Sequence, residues 1–192
     1  MSNFGKFPNP VSTLWMNETG PNRNMKLNED VSYTDPSGRE WKASKGDIIN
    51  GASIPQALWS TIGSPYIGDY RDASVLHDVA CNTPGVNRKE ADNMFYYACL
   101  CKGCSYFRAR VFYLGVRIGA WASLSLTSDE DTFRGEFFSY DDPKILSTND
   151  QIILMKLKEI GTNLWAMSDD TTPEDMDTVI EKHLILTEVK YL

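Results

Sequence analysis

The stretch YFRARVFYLGVRIGAWASL, residues 106 to 124, is apolar almost all the way round a helical wheel, and Ser105 stands where a helix cap belongs. A helix apolar on every face has to be enclosed by other elements. Arginines interrupt it, and no stretch of the chain approaches eighteen uninterrupted apolar residues, so a membrane span is not expected. The reading is a buried axis on which the rest of the fold packs. Gly115 and Gly119, four apart, allow another backbone to come close. Arg108, Arg110 and Arg117 must then reach water or carboxylates, either as a clamp for a substrate anion or as partners of Asp78, Asp92 or surface acids.

Several segments can surround this axis. VSYTDPSGREWKAS alternates about a Pro-Ser-Gly turn and predicts a hairpin with strands near 31–34 and 39–43. A helix is expected from about Asp69 to Cys81, with Asp69 and Asp72 in its first turn, and NTPGV stops it. A second begins after Asn87, where Asn-x-x-Glu to Glu90 has the form of a capping box, and ends at Gly103. The class is α+β: a hairpin and loops on a bundle of about three helices. The divisions are an extended arm at 1–28, a core domain at 29–126, an acidic turn-rich linker at 127–147 and a small α+β appendage at 148–192. In the appendage, helices are expected at 149–160 and from Pro173, and LILTEVKYL alternates as a closing strand. His183, at the end of the last helix, reads as a surface residue.

With 192 residues, 42% of them hydrophobic, the chain can bury a substantial core. A net charge of −7 argues against nucleic acid or an anionic membrane surface as an electrostatically held partner. The N-terminus lacks a charged start, apolar run and small-residue cleavage site, so synthesis in a cytoplasm without Sec-type export is expected. Cys99, Cys101 and Cys104 crowd into six residues, which is no disulfide framework. They read as packed thiols, with a zinc site drawing its remaining ligands from Cys99, Cys81 and His77, or redox chemistry, as the alternative.

The chemistry-bearing feature is DASVLHDVACN, residues 72–82, where His77 and Asp78 adjoin. In an antiparallel pair joined at Pro84 and Gly85, His77 and Asp92 lie almost equally far from the turn. With helix axes roughly 8–10 Å apart, the aspartate can reach the imidazole. A carboxylate-held imidazole presents its other nitrogen as a general base. Asp78, pointing about 100° away on the helix, could hold calcium with carbonyls of 51–53 or of the 63–68 loop. The same His-Asp step could equally cap, salt-bridge to the arginines and close a core.

GASIP at 51–55, Leu58-Trp59, LHD at 76–78, RKEAD at 88–92 with Phe95, and the helix bearing Tyr113, Arg117 and Gly119 together resemble the domain of unknown function 1353, over about residues 29–121. The resemblance implies a phage or prophage setting. Cys81 stands where that family usually has an aromatic Tyr. Locally, His77-Asp78 with Asp92 is similar to the helix pair of phospholipase A2, which would make His77 the base, Asp92 its orienter and Asp78 the calcium ligand. Ser53, Arg110, Tyr113 and Arg117 are then expected as substrate contacts or structural support.

Two functions follow as expectations. One is a phage-associated, calcium-assisted hydrolase of an ester or envelope bond. The other is a virion or tail assembly protein in which the same residues form a structural polar network. Its partners would be other phage structural proteins or further copies of the chain, bound through arm and appendage after synthesis in the host cytoplasm. A water-accessible face with metal-ready carbonyls around His77 would favour the first; burial of His77 would favour the second.

Overall fold

The computed structural model describes residues 4–16, 24–62, 68–126 and 146–184. Its elements are β1 (Thr13–Trp15), β2 (Met25–Leu27), β3 (Val31–Thr34), β4 (Glu40–Ala43), β5 (Ile48–Ile49), α1 (Trp59–Ile62) after a 3-10 turn at Gln56–Leu58, α2 (Arg71–Asn82), α3 (Arg88–Cys101), α4 (Tyr106–Ser125), α5 (Thr148–Trp165) and α6 (Pro173–Leu184). The class is α+β. None of the helices among the described residues is long and apolar enough to cross a membrane.

Helix α4 is the axis. Ala109 through Gly119 are all buried, the two arginines in that run included, and α3, α5, α6 and α1 pack round it. A Cβ on Gly119 would stand 2.2 Å from the Ser53 carbonyl oxygen, so glycine is what lets the 53–55 segment lie against the helix. Ser105 caps α4 by accepting from the Arg108 amide. Just before it, Gly103 closes α3 at φ +93°. There Cys104 N bonds Cys99 O and Gly103 N bonds Leu100 O, the paired bonds of a Schellman end.

The hairpin forms as its alternation demands. Val31 pairs with Ala43 and Tyr33 with Trp41, and these four turn inward. Asp35 sets the turn, its Oδ1 accepting from the Ser37 and Arg39 amides and its Oδ2 from Trp41 Nε1. The strands β1, β2 and β5 form a second, antiparallel sheet in the order β1-β2-β5, which the sequence reading did not foresee. Strands of two or three residues are too short to show a period of two. In the described part of the arm, Lys6 bridges to Thr34, Tyr33 donates its hydroxyl proton to Phe4 O, and Arg71 of α2 reaches Thr13 Oγ1.

Two local expectations need correction. Asn87 does cap α3, but Glu90 turns away from the cap to pair with Arg39 at 2.7 Å, so the reciprocal half of the capping box is not made. Helix α5 runs past 160 to Trp165, because buried Gly161 lies beneath the Trp165 ring rather than ending the helix. Ser147 and Asp150 form a complete capping box at its start. Ile153, Leu157, Ile160 and Leu164 of α5, with Met176 and Ile180 of α6, belong to the same buried cluster as α2–α4. The expected closing strand at 184–192 lies outside the described residues except for Leu184, which ends α6, and so does most of the expected linker at 127–147.

Candidate functional site

Helices α2 and α3 lie antiparallel across the turn at Pro84 and Gly85, and His77 Nε2 stands 2.7 Å from Asp92 Oδ1. Both side chains are 0% exposed. The apolar face of α2 buries Ala73, Val75, Leu76 and Ala80, which carries His77 inward with it, and Phe95 of α3 packs on the imidazole at 5.0 Å between ring centres.

Asp92 is held from two further directions. Arg88 Nε, one helical turn earlier, lies 3.3 Å from Oδ1, and Arg117 Nη1 of α4 donates to Oδ2 at 3.2 Å. Arg117 continues to α6, its Nε lying 3.1 Å from Asp177 Oδ1 as an ion pair without hydrogen-bond alignment. Asp177 is also 2.8 Å from Lys89 Nζ, and the Tyr113 hydroxyl lies 2.9 Å from its Oδ1 and 2.8 Å from Asn93 Oδ1. A buried chain of alternating charge therefore runs from α2 through α3 and α4 to α6.

The protonation states follow from this packing. Burial alone would lower the His77 pKa, but the Asp92 hydrogen bond and the Cys81 contact outweigh it and push it up to about 9. Burial alone would raise Asp92; the hydrogen bond to His77 and the charges of His77, Arg88 and Arg117 bring it below the usual carboxylate range. Both shifts favour the imidazolium–carboxylate form of the pair. Burial likewise pushes Tyr113 well above the ordinary phenol range, with Asp177 adding to it.

Asp78 does not face the same space. Its Oδ2 accepts from the Asn50 amide at 2.8 Å, and Asn82 Nδ2 lies 3.4 Å from its Oδ1. Burial raises its pKa, partly offset by the amides of Asn50 and Gly51. These neighbours are proton donors, whereas calcium requires oxygen ligands. Most of the 63–68 loop, the other expected carbonyl source, lies outside the described residues. Ser53 lies against α4, its backbone carbonyl facing Gly119, and is not among the residues of the His77–Asp92 chain. Arg110 is drawn elsewhere: Nη1 donates to Met167 O at 2.7 Å and Nη2 to Ser168 O, fixing the α5–α6 turn onto α4. Tyr113 and Arg117 do join the His77–Asp92 chain.

Sequence reasoning missed Asp177, Lys89, Arg88 and the place of Cys81. The i,i+4 spacing of Arg88 to Asp92 and of His77 to Cys81 was readable, since such residues share a helix face. Nothing local marked Asp177. Half-buried Cys81 puts its Sγ 3.5 Å from His77 Nε2 and 3.8 Å from Nδ1. With Asp92 it completes a group whose ligand atoms all lie within 4.8 Å of one another.

These features define a class, an α+β domain organised round a buried His-Asp helical hairpin. Residues 25–116, just under half of the chain, match the model of the family described as protein of unknown function (DUF1353). It is similar to the uncharacterized protein y4jT of Sinorhizobium fredii (strain NBRC 101917 / NGR234), 36% identical over 113 residues, which is 59% of this chain and 33% of the relative. It is also similar to the uncharacterized protein y4iH of the same strain, 33% identical over 90 residues, 47% of this chain and 38% of that one. The matches thus span between a third and two fifths of either relative's length. No solved structure matches the chain.

Proposed function

We propose that this chain is a non-enzymatic assembly protein of a phage or phage-derived particle, in which His77 and Asp92 are the centre of a polar lock rather than a catalytic dyad. The observation that carries this reading is the complete burial of both side chains, with Asp92 already engaged by Arg88 and Arg117. A general base has to reach a water or substrate and be unprotonated at working pH. A fully enclosed imidazolium does neither. The amide donors round Asp78 point the same way.

The particle setting comes from the family resemblance. It is supported by Leu14 and Ile48, which flank Lys26 in register on one face of the small sheet and stand 61% and 58% exposed. Apolar side chains presented on a sheet face suit contact with another protein.

A second reading, calcium-assisted hydrolysis of phospholipase A2 type, is favoured by one observation: the 2.7 Å His77–Asp92 bond across antiparallel helices, with Asp78 one residue on. Hydrolysis of mixed phospholipid vesicles by the purified chain, with calcium or with chelator, separates the two. The lock predicts no fatty-acid release and no calcium-dependent change in melting, in the wild type or in Asp78→Asn. Calcium-dependent release that disappears in folded His77→Gln and Asp78→Asn would overturn the lock and establish the hydrolase.

A further inference from the structure

We propose that Cys99 and Cys104 are an oxidisable thiol pair, which closes to a disulfide across the α3–α4 corner when hydrogen peroxide reaches Cys104. The corner itself brings them together. Gly103, at φ +93°, reverses the chain at the end of α3, and the Cys104 amide donates to Cys99 O at 3.1 Å. In such a helix end the residues joined by that bond ordinarily carry apolar side chains in contact with each other. Here both are thiols. Residues linked by a backbone hydrogen bond stand roughly 5–6 Å apart between Cα atoms, inside the roughly 4.4–6.8 Å that a disulfide spans. The side chains face each other, the Cys99 thiol donating to the Cys104 sulfur.

The other two cysteines are engaged elsewhere. Cys101 turns to the arm, its thiol donating to Gly5 O at 3.4 Å, and Cys81 lies against the His77 ring on α2. That leaves two facing thiols, enough for a disulfide and too few for a structural zinc. Within the pair the roles divide. Cys99 is 0% exposed, whereas Cys104, at 6%, sits between exposed Gly103 and Ser105. The Cys99 hydrogen bond, helped by the charge of Arg108 one turn into α4, brings the Cys104 thiol below its ordinary range, while burial pushes Cys99 well above it. Cys104 is therefore the thiolate that meets the oxidant and Cys99 the thiol that resolves it. So narrow an opening admits a peroxide rather than a bulky disulfide such as oxidised glutathione.

The chemistry balances. The Cys104 thiolate attacks one oxygen of hydrogen peroxide, breaking the O–O bond to give a sulfenic acid and hydroxide, which takes up the proton that Cys104 released. The Cys99 sulfur then displaces the sulfenic oxygen: the S–S bond forms, the S–O bond breaks, and the Cys99 proton leaves with that oxygen as water. Two thiols lose two electrons and two protons, and one peroxide becomes two waters. A reducing cytoplasm returns the pair to thiols, so the bond registers oxidant instead of building the fold. No residue of the His77–Asp92 chain takes part, and the pair stands independently of either reading of that chain.

The test is stoichiometric peroxide treatment of the folded, reduced full chain, followed by a count of free thiols after denaturation and by peptide mass spectrometry. Free thiols should fall from four to two and return to four with dithiothreitol. Trypsin cuts after Lys102, between the two cysteines, so the disulfide should join EADNMFYYACLCK to GCSYFR until it is reduced. Fragmentation should place the bond at Cys99, and Cys101→Ser should form it unchanged. Cys99→Ala, folded by circular dichroism, should lose the cross-link and accumulate a Cys104 sulfenic acid that dimedone traps. Absence of the cross-link in the folded wild type, a bond from Cys101 to Cys104 that survives in Cys99→Ala, or closure by oxidised glutathione but not by peroxide would each overturn the pair. The wild-type cross-link and the Cys101→Ser control decide the matter even where Cys99→Ala fails to fold.

Discussion

Replacing Arg117 by methionine removes the one cation among the described residues that touches both buried carboxylates of the charge chain, Asp92 at 3.2 Å and Asp177 at 3.1 Å. Arg117 is 6% exposed and the two aspartates 0% and 3%, so water cannot replace it without the fold opening. Removing one member of a buried ion pair costs about 3–5 kcal/mol, because the uncompensated charge stays behind. Here each carboxylate keeps other partners, Asp92 its His77 and Arg88 and Asp177 its Lys89 and Tyr113, which puts the expected loss at the lower end, about 3 kcal/mol. For a chain of this length each kcal/mol moves Tm by about 2–4 °C, so a drop of about 6–12 °C is expected. Arg117→Lys should fall between, since one ammonium cannot fork to both acids. Urea and thermal unfolding followed by circular dichroism and tryptophan fluorescence would measure this. The double variant Arg117→Met with Asp177→Leu should be less destabilised than the sum of its single changes by about 1–2 kcal/mol, the coupling expected of contacting residues. A loss below about 1 kcal/mol for Arg117→Met, or strict additivity in the cycle, would refute the claim that this pair ties α6 to the core.

Two further outcomes follow from the same physics. Gly119→Ala should cost about 3 kcal/mol or more, because its Cβ meets the Ser53 backbone carbonyl, whereas Gly115→Ala should cost about 1 kcal/mol, because it meets the movable end of Ile62; urea midpoints would rank them, and equal losses would contradict the close-approach account. With chelator present, the His77 contribution should be complete below its ordinary pKa of 6.5 and lost as pH rises through about 9, since a group whose pKa is raised on folding stabilises the fold in its protonated form. The difference in urea midpoint between wild type and His77→Gln should therefore shrink across that window, and a constant difference would show that the folded imidazole is not protonated.

Much of this architecture was legible in residues 31–43 and 72–124. The alternation of Val31, Tyr33, Trp41 and Ala43 specified the hairpin, and the all-round apolar character of 106–124 specified an enclosed helix. The distances of His77 and Asp92 from the Pro84-Gly85 turn specified their meeting. Each rests on a short-range regularity, in which helix or strand period decides which side chains share a face. The two-residue β5 and three-residue β1 and β2 carry no such period, and their pairing appears only once the 46–49 turn and the arm are brought together.

The site divided along the same line. That an imidazole and a carboxylate would pair, and that Gly115 and Gly119 would admit a close neighbour, the sequence by itself determined, because helix geometry projects residues at fixed spacing. Which acid takes Arg117, whether Glu90 turns to its own cap or to Arg39, where the Cys81 sulfur rests against the ring, and that His77 is shut away from water were decided only by tertiary structure. Asp177 and Arg39 come from segments far along the chain, and both charge pairing and burial depend on what those segments cover when they pack.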